Sequence, residues 1–403
     1  MKRILFVDDE QKILDAIRRM LHSMRREWEM VFASSGEAAL AELEAAHFDV
    51  IVSDMRMPGM EGATLLTRVQ ERFPEVVRIV LSGHTEMEAA LRAVPVAHQF
   101  LSKPCDPDNL RSVVERACSL QALLDDRTIR DVIGRVDTLP SVPSLYMAVT
   151  RALADPDASL ADVARIVEQD AGMCAKVLQL VSSAFFGLPR RVTKIQDALN
   201  YLGTGMIKNV VLSVEVFRTW KGNRELAGFS IEAQQRHALL AASIVTRLVT
   251  GKRQADDAFM AAMLHDIGKL ILAVHLEEHF ARVLSAMREQ RRPMHAIEEE
   301  LSGVTHAEVG AYLLGLWGLP YPIVEAVAHH HAPARVAHGC FDIVGALYVA
   351  DMLAHESAGA SPGANGETHE PIDLAYLEGI SVADQLPSWR AQVAEQAGAP
   401  AAG

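Results

Sequence analysis

The sequence predicts an open α/β domain built on a doubly wound parallel sheet, followed by an all-helical domain, and three observations carry that expectation. Over the first 120 residues, short apolar runs of strand length alternate with stretches of helical spacing. Aspartates stand directly after two of those runs, ILFV (4–7) before Asp8 and Asp9, and FDVIVS (48–53) before Asp54. From about residue 129 the apolar period becomes helical throughout.

The strand candidates are 4–8, 28–33, 48–53, 78–82 and 98–102, and segments between them, such as Ala63 to Arg72 and Glu86 to Val94, have helical spacing. Five such units imply a doubly wound sheet. Asp106-Pro107 opens a helix that runs through Val113, Val114 and Leu120 towards Leu124 and continues as the connector. In the second half, Ser159-x-x-Asp162 resembles an N-terminal capping signal, Thr193-x-x-Gln196 a capping box, and Gly203 a C-terminal stop. SAGASPGANGETHE (357–370) is small and polar, as a flexible linker is. Beyond it one or two short helices are expected, with Leu386 and Trp389 docked on the helical domain and AGAPAAG disordered. The expected boundaries are 1–122 for the α/β domain, 123–138 for a helical linker, 139–356 for the helical domain, and 357–403 for linker and tail.

Composition narrows the function classes. The 403 residues carry a formal net charge of -13. Residues 1–120 hold 15 basic against 19 acidic side chains and the rest 24 against 33. Neither half has the basic excess that phosphate-backbone binding needs, so no DNA partner is expected. The four cysteines are scattered without a CxxC pair, which indicates reduced thiols. No targeting signal and no uninterrupted apolar stretch of bilayer length is evident, which places the chain in the cytoplasm with no membrane association.

In a parallel sheet, residues just past the carboxyl ends of strands gather at one edge. Asp8, Asp9, Asp54 and Lys103 occupy such positions, and Ser82 ends the run RIVLS. Hard oxygen ligands of this kind suit Mg²⁺, while Lys103 and the Ser82 hydroxyl can meet the oxygens of a transferred phosphoryl group. ILFVDDE (4–10), SDMRMPGMEG (53–62), LSG (81–83) and FLSKP (100–104) resemble the motifs of a response-regulator receiver domain, which has a flavodoxin-like fold. The resemblance implies that Asp54 is phosphorylated by a sensor histidine kinase. It further implies Mg²⁺ held by Asp9, Asp54 and the Arg56 backbone carbonyl, and by Asp8 largely through water. Ser82 and Phe100 match the switch positions that move inward on phosphorylation and change how residues 107–130 present the output domain. A phosphorylation-dependent homodimer through the last receiver helices is compatible with it.

LPSVPSL, DPDASLADVARIVEQD, SSAFFG, VTKIQDALNYLG, MLHDIGKL (263–270), THAEVGAYLLGLWGLP (305–320) and AVAHHH (326–331) resemble the HDOD family, helical output domains related to HD phosphohydrolases. Ser182 stands where that family has asparagine. On a helical wheel Asp266 falls with Phe259, Met263 and Leu270, and His237 with Ala241, Ile244 and Leu248. His306 falls with Leu313 and Trp317, His330 with Ile323 and Val327, and Asp351 with Val344 and Leu347. With His265 beside Asp266, these inward polar groups must pair with one another or coordinate a metal, for which iron, manganese or zinc would suit. His329 and His330 are taken into the cluster, although which two of His329, His330 and His331 form the family's pair is left open. Lys269 projects away from the apolar stripe and is expected to be solvated. HD-GYP enzymes, which cleave cyclic di-GMP, resemble this half in HDIGK and paired histidines. Ala233 replaces their metal-binding glutamate, however, and AHHHAPARVAHG (328–339) lacks their GYP segment. The expected output is therefore a non-catalytic module binding a downstream protein, with a metal-dependent cyclic di-GMP phosphodiesterase as the alternative. No catalytic residue is assigned.

Overall fold

The computed structural model describes residues 1–83, 93, 96–121, 127–136, 139–141, 143–155, 158–182, 192–202, 217–219, 229–336, 339–357 and 370–398. Five strands, β1 Lys2–Val7, β2 Trp28–Ala33, β3 Val50–Asp54, β4 Val77–Gly83 and β5 Gln99–Lys103, form a parallel sheet in the order β2-β1-β3-β4-β5. Ile4 to Val7 and Val50 to Val52 are almost wholly buried, the continuous apolar signature of strands covered on both faces. Helices α1 Gln11–Met20, α2 Gly36–Ala45, α3 Gly62–Arg72 and α4 Pro107–Gln121 complete the described α/β units. The helix expected over Glu86 to Val94 lies outside the described residues except Ala93. Because the chain leaves β1 first for β2 and later returns beside it as β3, the strand order reverses between β1 and β3. Ligands bind at such a switch point, outside the carboxyl ends of the strands.

A short helix, α5 Arg127–Gly134, follows, and then the helical half: α6 Pro143–Ala154, α7 Leu160–Val167, α8 Ala171–Ser182, α9 Ile231–Leu248, α10 Lys252–Leu264, α11 Ile267–His275, α12 Glu277–Gln290, α13 Met294–Ser302, α14 His306–Leu316, α15 Tyr321–His329 and α16 Ile343–Ser357. Ser159 and Asp162 make the expected reciprocal cap of α7. Among the described residues the helical pattern is interrupted by a parallel pairing of three residues each, β6 Leu139–Ser141 with β7 Phe217–Thr219. Gly203 and the Ser182 side chain lie outside the described residues. The run Lys252–His275 is long and apolar enough by composition to cross a bilayer, but Asp266 and Lys269 interrupt it, in keeping with the sequence expectation, and 83% of its hydrophobic window is buried in the structure. It is core, broken at His265-Asp266, where α10 ends and α11 begins.

Past the linker, α17 Leu374–Gly379 and α18 Leu386–Gly398 fold back onto α16. Trp389 stacks on Phe341 at 5.3 Å, Arg390 pairs with both Glu356 oxygens at 2.8 and 2.6 Å, and Leu386 and Trp389 are buried as expected.

The two halves also touch directly, beyond the connecting helices that the sequence suggested. Gln99 Nε2, at the start of β5, donates to the Leu316 carbonyl at the end of α14 (2.8 Å), and Gln179 Nε2 of α8 donates to Ala97 (3.1 Å). Arg78 at the start of β4 is buried and donates to the carbonyls of Val96, Pro74, Val76 and Gly134, the last on α5. Burial pushes this guanidinium down to about 9, so the four carbonyls are what make its position tolerable.

Candidate functional site

Two constellations are candidates. At the switch point, Asp8 follows β1, Asp54 ends the adjacent β3 and Lys103 ends β5, which lies beyond β4, so the shared parallel direction of these strands gathers their heads at one edge. Lys103 Nζ lies 2.7 Å from Asp8 Oδ2 and also pairs directly with Asp54 Oδ1. Asp8, Asp9 and Asp54 each offer an oxygen within 4.8 Å of the others. Asp8 and Asp54 are buried, while Asp9 is exposed at the rim. Burial alone would depress Lys103, but its hydrogen bonds to Asp54 and Asp8 and their charges outweigh this and hold it above the ordinary lysine value. The Arg56 amide donates to Asp54 Oδ2 at 3.2 Å, which turns the loop around the carboxylate. Gly62 backs that loop so tightly that a Cβ would sit 2.0 Å from the Asp54 carbonyl. Three carboxylates against one ammonium leave an oxygen-lined site with excess negative charge, and the set fits a hard divalent cation.

Ser82 is buried in β4, next to Leu81, the register partner of Asp54. Phe100 of β5 is already buried, so inward movement of this aromatic would start from a shielded position.

The second constellation lies inside the helical half. Ser230 caps α9, whose buried face presents Gln234 and His237. The break between α10 and α11 presents His265 and Asp266. A reciprocal cap between Thr305 and Glu308 starts α14 so that His306 is its first residue. Asp351 projects from the middle of α16. His237 Nε2 lies 2.8 Å from Asp351 Oδ1, and His265 Nε2 lies 3.5 Å from the same oxygen and 3.3 Å from Asp266 Oδ2. The other oxygen of Asp266 is 3.2 Å from His306 Nε2 and 3.6 Å from His330 Nε2. Asp266 therefore bridges two groups, one of His237, His265 and Asp351, the other of Asp266, His306, His330 and His331.

His331, whose Nε2 is 2.9 Å from His306 Nε2, joins His330 in this cluster. His329, at the end of α15 and half-buried, is in neither group. Lys269, expected in solvent, is instead buried, with Nζ 2.9 Å from Asp266 Oδ2, because the carboxylate draws it into the core. Sequence reasoning also passed over Gln234, which donates to Asp266 Oδ2 at 2.5 Å, and Glu298, fully buried and 2.6 Å from His306 Nδ1. A buried carboxylate on the far nitrogen of a histidine fixes its tautomer and raises its basicity as a ligand. The carbonyls of Ala262 and Val327 do the same at Nδ1 of His265 and His330, each at 2.7 Å.

The electrostatics follow from these contacts. Burial would raise Asp266, but His265 and Lys269 outweigh it and hold the carboxyl well below its usual range; Asp351 is held down likewise by His355, His237 and His265. Their carboxylates overcome burial and push His265 up to about 10, and Glu298 raises His306 to about 9. Burial, reinforced by His330 and His306, drives His331 far down and leaves it a neutral imidazole. His265 Nε2, Asp266 Oδ1 and His330 Nε2 are buried without a hydrogen-bond partner. Orphaned donor atoms on converging imidazoles and carboxylates fit transition-metal ions of the iron, manganese or zinc class. His331 further lines a cavity of about 130 Å³ with His295, which stacks on it at 4.4 Å, and with Tyr348, Met352 and the tail residues Glu370 and Asp373.

Comparison with known proteins accounts for both halves. Residues 4–115 match the response regulator receiver domain family and residues 139–333 the HDOD domain family. The hydrogenase transcriptional regulatory protein HoxA of Cupriavidus necator is 39% identical over 137 residues, which cover 34% of this chain and 28% of HoxA. An uncharacterized protein of Treponema pallidum is 24% identical over 268 residues, 64% of this chain and 52% of its own length. The chain thus spans about half or less of these relatives. Among solved structures, a virulence factor from Campylobacter jejuni superposes with a TM-score of 0.52 at 19% identity, covering 68% of this chain and 99% of that one, which is a likeness of fold. A signal receiver domain of an HD domain-containing protein from Pseudomonas fluorescens is 28% identical, with a TM-score of 0.29, over 30% of this chain and 98% of that one.

Proposed function

The chain is a response regulator that joins a receiver domain to an HDOD output domain, and we propose that Asp54 accepts a phosphoryl group from a sensor histidine kinase and thereby governs what the helical half binds. The observation that carries this is the Lys103 ammonium set between Asp8 and Asp54 beside a third carboxylate. Asp54 supplies the attacking oxygen, Lys103 meets the charge of the transferring oxygens, and Ser82 can donate to the aspartyl phosphate. Asp8, Asp9, Asp54 and the Arg56 carbonyl would hold Mg²⁺, which when bound offsets the charge of incoming phosphate. Transfer converts the Asp54 carboxylate into an acyl phosphate, so the contact of Lys103 with Asp54 Oδ1 gives way to one with phosphoryl oxygens. Because β5 carries Lys103 at one end and Gln99 at the other, a shift of this strand reaches α14 through the Leu316 carbonyl.

The partners of this reading are the kinase and a downstream protein recognised by the helical surface. Incubation with a labelled small phosphodonor and Mg²⁺ tests it. Wild type should take up label and Asp54→Asn should not; equal labelling of the two refutes the assignment.

The orphaned ligand atoms favour a second reading for the output domain, a metal-dependent phosphodiesterase of HD type. His237, His265, Asp266, His306, His330, His331 and Asp351 would hold the metal, which when bound would polarise a phosphoryl oxygen and acidify water. Lys269 keeps Asp266 ionised and oriented. Purified protein should then contain transition metal and linearise cyclic di-GMP, with both lost in Asp266→Ala. Metal-free, inactive wild type would leave the protein-binding output as the function.

A further inference from the structure

The tail returns to the helical half where the second constellation comes nearest to solvent. Of the seven residues in its two groups, His331 alone is half-buried and the other six are buried. It opens into the cavity of about 130 Å³, part of whose wall is Glu370, Pro371 and Asp373 of the tail and part Tyr348 and Met352 of α16. The Asp373 amide donates to the Tyr348 hydroxyl at 2.7 Å, and the Tyr376 ring meets the Tyr348 ring edge-on at 5.6 Å. Leu377, Ile380 and Val393 are buried together with Leu386 and Trp389. Helix α16 therefore supplies Asp351 to the cluster and Tyr348 and Met352 to the footing of the tail, so one helix serves both.

The side-chain charges at this mouth are of one sign. Glu370 and Asp373 are exposed carboxylates, and among the described residues no lysine or arginine lines the cavity. Burial pushes the Tyr348 phenol up, and the charges of Asp373, Glu370 and Asp351 add to the rise against the Asp373 amide, so the field of the tail reaches the cavity wall. The α13 side of that wall favours an anion. Helix α13 begins there at Pro293 without a side-chain cap, which leaves its first amides open. The carboxylates of the tail thus stand over a wall that would draw a free anion.

We propose that residues 370–398 are an autoinhibitory strap: docked on α16, they cover the approach to His331 and hold their own negative charge over it, so that a phosphate-bearing ligand enters only when α18 leaves α16. This names a regulation for the metal reading of the cluster, and it rests on that reading for the ligand but not for the closure. The strap can leave without dismantling the cluster, since neither group takes a ligand atom from it.

Modification of His295 by diethyl pyrocarbonate, read by peptide mass spectrometry on the full-length protein, measures the closure. His295 lines the cavity and is a member of neither group, so a wild type that proves metal-free and inactive would sink the metal reading and leave this readout intact. Trp389→Ala removes the ring stacked on Phe341, and the rate at His295 should rise at least about tenfold, because loss of a buried tryptophan favours opening by a larger factor than that. Trp389→Phe keeps a ring there and should restore the slow rate. Exposed His47 should react alike in all three proteins and fully buried His265 in none, which shows that the fold is kept. If His265 reacts in Trp389→Ala, the comparison passes to Arg390→Ala, which breaks only the surface pair with Glu356. Orthophosphate at constant ionic strength should slow the reaction in the released variant and leave wild type unchanged. Equal His295 rates in wild type and released variant overturn the strap. A faster rate without protection by orthophosphate overturns the anionic ligand.

Discussion

Gly268→Ala probes whether the cluster depends on the close approach of α11 to α14. A Cβ at residue 268 would lie 1.9 Å from the His306 carbonyl oxygen and 2.7 Å from its carbon, where ordinary contact begins at 3.4 Å. Both partners are backbone, so neither can turn aside, and the helices must part by about 1.5 Å. Overpacking of this kind costs about 3 kcal/mol. For a domain of this size each kcal/mol lowers the melting temperature by roughly 2 to 4 °C, so a fall of roughly 6 to 12 °C is expected by scanning calorimetry. The same displacement lengthens the 3.2 Å approach of His306 to Asp266 and weakens metal retention. Gly339→Ala is the comparator, because nothing lies within 4 Å of its Cβ position, and it should change stability by less than about 0.5 kcal/mol. If the two variants melt together, the tight contact does not support the cluster.

Lys103→Met removes the cation between Asp8 and Asp54; wild-type melting should respond modestly to Mg²⁺ and the variant's strongly, with phosphoryl uptake lost, and identical Mg²⁺ responses would contradict the charge argument. Burial, with Arg78 and Lys176 nearby, holds His98 well below its ordinary 6.5, so His98 stays neutral when folded. Stability should be full above pH 6.5 and fall on acidification below it, by up to about 1.4 kcal/mol per pH unit, as the unfolded chain takes up the proton; urea titrations of wild type and His98→Gln should differ in that slope. Glu298→Gln weakens the support behind His306 and should lower metal affinity roughly 10- to 100-fold in chelator competition.

Much of this was legible in the sequence, for identifiable reasons. The receiver pocket could be read because strand ends share an edge, so Asp8, Asp54 and Lys103 needed only their positions after apolar runs. The inward set His237, Asp266, His306, His330 and Asp351 followed from helical period. That period fails where a helix stops. Helix α15 ends at His329, and His331 sits in the turn beyond it, where wheel angles no longer apply. Glu298 was hidden in the run EEE (298–300), which reads as a solvated face, although only residue 298 of the three is buried. Lys269 followed Asp266 into the core through charge pairing, which no apolar stripe records. The contacts that Arg78 and Gln99 make across the halves carry no local signal, since their acceptors there, Gly134 and Leu316, are remote in sequence.

The buried arginine at residue 78 and the amide at residue 99 also bear on how such proteins can be recombined. Each donates to a carbonyl beyond the receiver, Arg78 to Gly134 and Gln99 to Leu316. A signal-receiving module spliced here from elsewhere would arrive without those donors and strand the carbonyls in a dry seam. The two halves are therefore expected to drift as a matched pair, and chimaeras joined near residue 122 should work only when both donors travel with the graft.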